Sequence, residues 1–172
     1  MGRNVEIKAV VAEPESLRRS VAAIADSGPT ILRQTDTFFD VAAGRLKLRE
    51  SEGHPAELIF YARPDRTQPA GSVYLTASVP DPGAFRHKFG DVFGIRGVVI
   101  KDRALYMVGR TRVHLDHVEG LGDFMELEVV LEDREKEPVG ILEADTLRRQ
   151  LGVSDRDLVD GAYIDLIERL QR

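Results

Sequence analysis

The sequence predicts an α+β protein whose main element is a largely antiparallel sheet, and two observations support this. First, about eight segments alternate apolar and polar or charged residues with a period of two, the pattern of strands with one buried face. Second, the helical patterns are set apart from the strands: one follows the first strand, one lies in mid-chain and two close the chain. This separation is typical of α+β folds, and this many strands could close into a barrel.

The first strand shows the alternation most clearly. In Asn4–Val11 the side chains of Asn4, Glu6 and Lys8 lie on one face, and apolar side chains lie on the other. Alternation, or a high content of β-branched and aromatic residues, predicts the strands that follow. These are Thr30–Val41, Arg45–Glu50, Glu57–Arg63, Ser72–Val79, Val98–Ile100 and Ala104–Val108. Between the last two, residues 101–103 read Lys-Asp-Arg and indicate a tight turn or a bulge.

The last two predicted strands form a hairpin over Arg112–Leu131. Its turn is predicted at residues 119–123, because Gly120 and Gly122 can adopt the positive φ angles that tight turns require. We expect the hairpin to be symmetric about Leu121. This register pairs Asp116 with Glu126 and His114 with Glu128.

Carboxylates that face each other distinguish this hairpin from an ordinary one. Directly opposed like charges destabilise a ladder, so Asp116 and Glu126 need either screening water or a bridging cation. A hard divalent ion with oxygen ligands would suit them and Glu128, which follows on the same face. Taken alone, the hairpin favours a solvated polar face.

Four helices are predicted where a proline or a capping residue precedes apolar residues at helical spacing. Their starts lie at Pro14, Asp81-Pro82, Pro138 and close to Ser154, and the first three end near Gly28, Gly94 and Gly152. In the second helix Phe85, Phe89 and Phe93 recur at intervals of four, which predicts that these three rings are buried.

Composition limits the classes of function. With 172 residues, 42% of them hydrophobic and 31% charged, we expect residues 1–172 to form a single globular domain. Cysteine is absent, so any metal must bind carboxylate or imidazole. The formal net charge of −5 argues against nucleic acid or an anionic membrane as partner. No apolar run has signal-peptide or membrane-span length, so a cytoplasmic protein is expected, with its oligomeric state open.

The charged strand faces sort by sign. Basic residues dominate several strands, at Arg45, Lys47, Arg49, Arg63, Lys101, Arg103, Arg110 and Arg112. Acidic residues dominate the hairpin, at Asp116, Glu126 and Glu128. If the sheet closes with these faces inward, a cationic wall meets an acidic wall, which suits a polyphosphate carrying Mg²⁺ or Mn²⁺. An open sheet with solvent on the charged face explains the alternation but not the sorting.

Several short motifs follow one another along the chain in a recognisable order. They include Asn4-Val5-Glu6-Ile7-Lys8, the basic pair Lys101-x-Arg103, Arg112-x-His114-Leu115-Asp116, Glu126-Leu127-Glu128 and Tyr163-Ile164-Asp165-Leu166. In this order the chain resembles the CYTH superfamily of triphosphate tunnel metalloenzymes, which includes class IV adenylate cyclases and thiamine triphosphatases. The resemblance implies an eight-stranded antiparallel closed β-barrel, the triphosphate tunnel, with helices packed outside. Two positions depart from the family pattern, because Asn4 and Val73 stand where relatives carry acids.

The resemblance also implies roles for individual residues. Glu6 and Lys8 would be catalytic, and Asp116, Glu126 and Glu128 would bind Mg²⁺ or Mn²⁺. The triphosphate of a small molecule would be bound by Lys8, Lys47, Arg49, Arg63, Lys101, Arg103 and Arg112. We interpret His114 as a hydrogen-bonded residue of the tunnel rather than a general base or ligand.

The implied function is a divalent-metal-dependent enzyme similar to class IV adenylate cyclase, which converts ATP to cyclic AMP and pyrophosphate. One alternative is an inorganic or thiamine triphosphatase. The other is a tunnel that binds polyphosphate or nucleotide without turning it over.

Overall fold

The computed structural model describes residues 2–62 and 64–171, and in them it contains eight strands, four α-helices and one short 3₁₀ helix. The strands are β1 (Gly2–Val10), β2 (Ser27–Phe39), β3 (Arg45–Ser51), β4 (Ala56–Ala62), β5 (Ala70–Val79), β6 (Ile95–Val108), β7 (Thr111–Val118) and β8 (Gly122–Val130). The α-helices are α1 (Pro14–Ile24), α2 (Pro82–Phe93), α3 (Glu137–Gln150) and α4 (Tyr163–Leu170).

The eight strands form one closed barrel. Their order around it is β1-β5-β4-β3-β2-β6-β7-β8, with β8 pairing back to β1, and every pair is antiparallel. The predicted α+β fold with a closed eight-stranded barrel and external helices is therefore confirmed. None of the helices in the described part of the chain has the length and apolar character of a membrane span.

The main apolar core lies outside the barrel, between its wall and the helices. Outward residues of β1, β7 and β8, such as Val5, Val113 and Leu127, are fully buried there. They pack with Val21 of α1 and Ala144 of α3. Because side chains alternate along a strand, burying these residues outside turns their polar neighbours towards the barrel interior.

Helix α2 covers a second part of the wall, and here one prediction is wrong. Phe85 and Phe89 pack on Phe39 of β2, with ring centroids 6.3 and 5.7 Å from the Phe39 ring. Phe93, predicted to be buried with them, is 42% exposed. It is the last residue of α2, and its ring lies against that of Phe89 in the same helix, with 5.4 Å between centroids.

Apolar residues also fill one end of the barrel. Phe38, Val99, Val118 and Phe124 share an inward face with charged residues of their strands, and they cluster with Tyr163 at the start of α4. The Phe124 and Tyr163 rings meet edge to face at 5.1 Å between centroids. The charged part of the interior therefore begins above an apolar floor.

Two predictions about the strands are wrong. Residues 98–108 form one continuous strand within β6 rather than two strands separated by a turn, because Lys101 and Arg103 point inward while Asp102 points outward. The hairpin of β7 and β8 is symmetric about Gly120 rather than Leu121. Gly120 and Gly122 do adopt positive φ, of 78° and 95°, in a tighter turn than predicted.

Candidate functional site

The barrel encloses a charged cavity of about 400 Å³, which we call the tunnel. Its lining comes from alternate residues of the strands and from the start of α4. Six described cationic residues line it: Lys8, Lys47, Arg49, Lys101, Arg103 and Arg112. Five described acidic residues do so: Glu6, Asp36, Glu57, Glu126 and Glu128. Most of the sorted charges of the sequence therefore meet in one volume. Arg45 and Arg110, which the sequence grouped with the basic wall, are not part of this lining: Arg45 pairs with Asp65 and Asp165, and Arg110 pairs with Glu135 and Glu143.

Three of the cations converge on Asp36 of β2. Arg49 donates to both carboxylate oxygens at 2.7 and 2.8 Å, and the Nζ atoms of Lys47 and Lys101 donate to Oδ2 at 2.9 and 2.8 Å. Asp36 is only 1% exposed. Burial opposes its ionisation, but the charges of Arg49, Lys101 and Lys47 hold the pKa of Asp36 well below its usual range. The cluster therefore presents three cations held by one carboxylate.

A single carboxylate does not fully compensate these three cations, and the lysines show the consequence. Burial, assisted by the charge of Arg49, lowers the pKa of Lys47 to about 8. Burial lowers the pKa of Lys101 to about 7, against the attraction of Asp36. Both ammonium groups would therefore gain from an additional anion in the tunnel.

Arg103 is held by a second buried acid, Asp116. Its Nε and Nη2 donate to the two Asp116 oxygens at 2.7 and 2.5 Å, and Nη2 also donates to Glu126 Oε2 at 2.6 Å. The Tyr163 hydroxyl donates to Asp116 Oδ2 at 2.8 Å. Burial and the charge of Asp116 raise the pKa of Tyr163 well above its usual value, so this hydroxyl keeps its proton. Asp116 thus orients Arg103 and anchors α4.

The acidic wall consists of neighbouring carboxylates on β1 and β8. Glu6 lies directly opposite Glu128, and Lys8 opposite Glu126, with 2.5 Å between Lys8 Nζ and Glu126 Oε1. Arg112 donates to Glu128 Oε2 at 3.2 Å. Burial opposes ionisation of Glu126, yet the charge of Lys8 and the neighbouring His114 keep its pKa well below the usual range. Burial also opposes ionisation of Glu128, but the neighbouring His114 and Arg103 lower its pKa, so Glu126 and Glu128 are both anionic.

Among the described residues, one group of side chains could hold a metal ion. The ligand atoms of His114, Glu126 and Glu128 lie within 4.8 Å of one another. His114 Nδ1 is buried without a hydrogen-bond partner among the described residues, and nitrogen with two carboxylates is a donor set that divalent ions accept. The group therefore fits a divalent cation. Asp116, predicted as the third ligand, is outside this group and holds Arg103.

The two departures from the family pattern differ in their relation to the tunnel. Asn4 lines it and is 3% exposed, and its Oδ1 atom has no hydrogen-bond partner within residues 2–62 and 64–171. Val73 is 42% exposed and alternates with Tyr74, which lines the tunnel, so Val73 points away. Only Asn4 changes the site. Arg63, a predicted phosphate-binding residue, lies outside the described residues.

From the sequence, no role was assigned to Asp36, although Asp36 lies at the centre of the cationic cluster. The sequence did contain an indication of this role. Asp36 is an acidic residue on the same strand face as the uncharged Gln34 and Phe38. No role was predicted for Tyr163 beyond its place in a family motif, whereas its ring centroid lies 3.7 Å from Lys8 Nζ and the residue lines the tunnel. The error of two residues in the hairpin pairing placed His114 opposite Glu128, and the structure places it opposite Glu126.

Comparison with solved structures supports the fold. The PH1012 protein of Pyrococcus horikoshii OT3 superposes with a TM-score of 0.86 at 24% identity, over 95% of this chain and 98% of that one. A Hippeastrum protein, studied as a candidate adenylyl cyclase and found to have a dominant triphosphatase activity, superposes with a TM-score of 0.67 at 16% identity. That match covers 100% of this chain and 97% of the other.

Comparison with sequences identifies the family. The chain is 35% identical over 71 residues to adenylate cyclase CyaB of Aeromonas hydrophila, and this match spans 41% of the chain and 37% of that relative. The family model described as the CYTH domain matches residues 2–163. Members of this family act on triphosphate substrates with the help of a metal ion. The sequence match over nearly the whole chain, together with the charged tunnel, shows that the protein belongs to the CYTH domain family.

Proposed function

We propose that this protein is a divalent-metal-dependent enzyme that converts a triphosphate compound inside the tunnel, with ATP cyclisation as the first candidate reaction. The observation that carries the proposal is the meeting of a cationic cluster and a carboxylate pair in one cavity. Guanidinium and ammonium groups bind phosphate oxygens through charge-assisted hydrogen bonds, and carboxylates hold the metal that accompanies a triphosphate.

In the proposed complex, the phosphates lie against Lys47, Arg49, Lys101, Arg103 and Arg112. The first three now share Asp36, so a bound polyanion supplies the negative charge that this cluster lacks. Because the cations are already held in place by buried acids, few rotamers need to be ordered on binding. The described part of this wall is therefore organised for phosphate before substrate arrives.

The acidic wall would supply the rest of the site. Glu126 and Glu128 would hold Mg²⁺ or Mn²⁺, which neutralises charge on the transferring phosphoryl group when bound. Glu6, across the ladder from Glu128, would accept the proton of the attacking hydroxyl. Lys8, beside Glu126, would offset the charge that develops on the departing phosphate oxygen. No covalent intermediate with the protein is needed.

Two reactions fit this arrangement. In a cyclase the 3′-hydroxyl of ATP attacks the α-phosphorus and pyrophosphate leaves; Tyr61 and Tyr74 also line the tunnel and offer aromatic faces to a base. In a triphosphatase, water attacks the γ-phosphorus. The triphosphatase activity of the Hippeastrum protein favours this second candidate. Inorganic and thiamine triphosphate are the substrates that we propose for it.

One set of incubations separates these functions. The protein is mixed with Mg²⁺ or Mn²⁺ and, in turn, ATP, inorganic triphosphate and thiamine triphosphate. Cyclic AMP with pyrophosphate identifies a cyclase, and orthophosphate identifies a triphosphatase. Tight binding of all three without any product would overturn the proposal and support a tunnel that only binds.

The cationic cluster gives a direct test of phosphate binding. We expect Lys47→Ala and Arg49→Ala each to weaken inorganic triphosphate binding about 10- to 100-fold, since a hydrogen bond to a charged group contributes roughly 1.5–3 kcal/mol. Calorimetric titration measures the change. Lys88→Ala, on the exposed face of α2, is the control and should bind normally. Unchanged affinity in both tunnel variants would contradict the assigned role of this wall.

The lowered lysine pKa values predict that binding depends on pH. As pH rises through about 7 and about 8, Lys101 and Lys47 lose their protons in the empty tunnel, so affinity for ATP should fall towards alkaline pH. Binding should also take up protons at about pH 8, because the polyanion raises both pKa values. Calorimetry in buffers of different ionisation enthalpy measures this uptake. Lys101→Met should take up fewer protons; equal uptake would contradict the assignment.

A further inference from the structure

His114 is a buried polar residue with an unpartnered nitrogen and two carboxylates close to it. It is 4% exposed, and its Nδ1 has no hydrogen-bond partner in the part of the chain that the structure describes. The same atom faces two carboxylate oxygens, at 3.8 Å from Glu126 Oε2 and 3.6 Å from Glu128 Oε1. These distances are too long for hydrogen bonds and leave room for an atom between the three groups.

The hairpin fixes this geometry. His114 on β7 is directly opposite Glu126 on β8, and Glu128 follows two residues on, on the same inward face. Both strands are paired on their other sides within a closed barrel, so the three side chains start from a rigid backbone. A site on paired strands holds ligand positions more precisely than one on a loop.

The existing hydrogen bonds leave capacity for a ligand bond. Glu126 Oε2 accepts from Arg103 at 2.6 Å, and Glu128 Oε2 accepts from Arg112 at 3.2 Å. A carboxylate oxygen has two lone pairs, so Glu126 Oε2 can accept this hydrogen bond and still bind an ion. Glu128 presents its other oxygen, Oε1, to His114.

We propose that His114 Nδ1 is a direct ligand of the divalent ion, completing an imidazole–dicarboxylate site with Glu126 and Glu128. This inference rests on the metal dependence of the proposed function. Imidazole binds Mn²⁺ and later transition ions more readily than Mg²⁺, which prefers oxygen ligands. The site therefore selects Mn²⁺ over Mg²⁺. The ring must carry its proton on Nε2 to bind through Nδ1.

Electron spin-echo spectroscopy of bound Mn²⁺ tests the ligand assignment without measuring activity. Samples contain full-length protein with Mn²⁺, alone and with inorganic triphosphate. We expect modulation from a directly bound ¹⁴N nucleus, replaced by the ¹⁵N pattern when the protein is grown with ¹⁵N-histidine. Isotopic labelling needs no substitution, so the test does not depend on a variant folding. Absence of nitrogen coupling in both samples would overturn the proposal.

Variants identify which histidine is bound. His114→Asn should lose the nitrogen coupling and bind Mn²⁺ at least about tenfold more weakly, with a smaller change for Mg²⁺. His117→Asn is the control, since His117 lies on the outer face of the same strand, 61% exposed beside Asp123, and the signal should remain. Retained coupling in His114→Asn would overturn the proposal.

The outcomes separate this inference from the proposed function. If triphosphate is converted with Mn²⁺ but no histidine nitrogen is coupled, the ligand assignment is wrong and the function stands. If nitrogen is coupled but none of the three triphosphates is converted, the function is wrong and the metal site stands.

Discussion

Replacing Glu126 by glutamine is expected to abolish metal-dependent turnover of the triphosphate substrate while the barrel stays folded. The amide keeps the shape of the side chain but loses the charge that would hold the ion. It also removes the negative partner of Lys8 at 2.5 Å and of Arg103 at 2.6 Å. Loss of an ion that contributes several kcal/mol of transition-state stabilisation should lower kcat at least about a hundredfold.

The experiment measures product release with Mn²⁺ at saturating substrate, together with Mn²⁺ affinity and the unfolding transition. Glu119→Gln is the matched control, since Glu119 lies in the hairpin turn and pairs with Arg33 at the surface. Its kcat and metal affinity should equal those of the parent protein. Normal Mn²⁺ affinity in Glu126→Gln would remove Glu126 from the ligand set.

The second large effect concerns stability. We expect Asp36→Asn to lower the free energy of unfolding of the ligand-free protein by about 3–5 kcal/mol, the usual consequence of removing one partner of a buried ion pair. The change leaves Lys47, Arg49 and Lys101 buried without their shared carboxylate. Urea denaturation followed by circular dichroism measures the loss.

Asp36→Asn should also respond to ligand and to pH in a defined direction. Inorganic triphosphate should stabilise the variant more than the parent, because it supplies the missing negative charge. The two tunnel lysines have folded-state pKa values below their unfolded values, so their contribution to stability improves as pH rises from about 7 towards about 10. The deficit of the variant should shrink as pH rises through about 7 and about 8, where Lys101 and Lys47 of the parent also lose their protons, and should stay constant above that range.

Asp102→Asn is the control for this prediction. Asp102 is a neighbour of Lys101 in sequence, but it faces outward and pairs with Arg33 at 3.4 Å with both side chains at least half exposed. Exposed ion pairs of this kind contribute about 0–1 kcal/mol. An equal loss of stability in both variants would show that Asp36 has no special place in the cluster.

Much of this molecule could be predicted from local sequence, because strand alternation is a local property. The period of two placed Lys47 with Arg49, and Glu126 with Glu128, on the charged faces of their strands, and in the structure these faces line the tunnel. It failed at Lys101-Asp102-Arg103, where three charges in a row resembled a turn. The alternation in fact continues through these residues. The strand stays extended because the barrel interior is charged and accommodates Lys101 and Arg103.

The hairpin shows the limit of such reasoning. The glycine pattern located the turn, but pairing depends on the turn's own hydrogen bonds, so Gly120 and not Leu121 became its centre. A change of two residues in the pairing left every side chain on its predicted face and exchanged its partner. The residue directly opposite His114 is consequently Glu126 instead of Glu128. The proposed metal ligand is thus a residue that the sequence favoured as a hydrogen-bonded residue of the tunnel.

By itself, the sequence determined that this chain is an α+β protein whose strands separate apolar from charged faces, because that separation is written residue by residue. Only the tertiary structure decided which charges share a partner. Asp36 meets Lys47, Arg49 and Lys101 because β2 lies between β3 and β6 in the barrel, although Lys101 is 65 residues away along the chain. Closure then decided the environment: it removed these charges from bulk water, lowered the lysine pKa values and left three cations around one carboxylate.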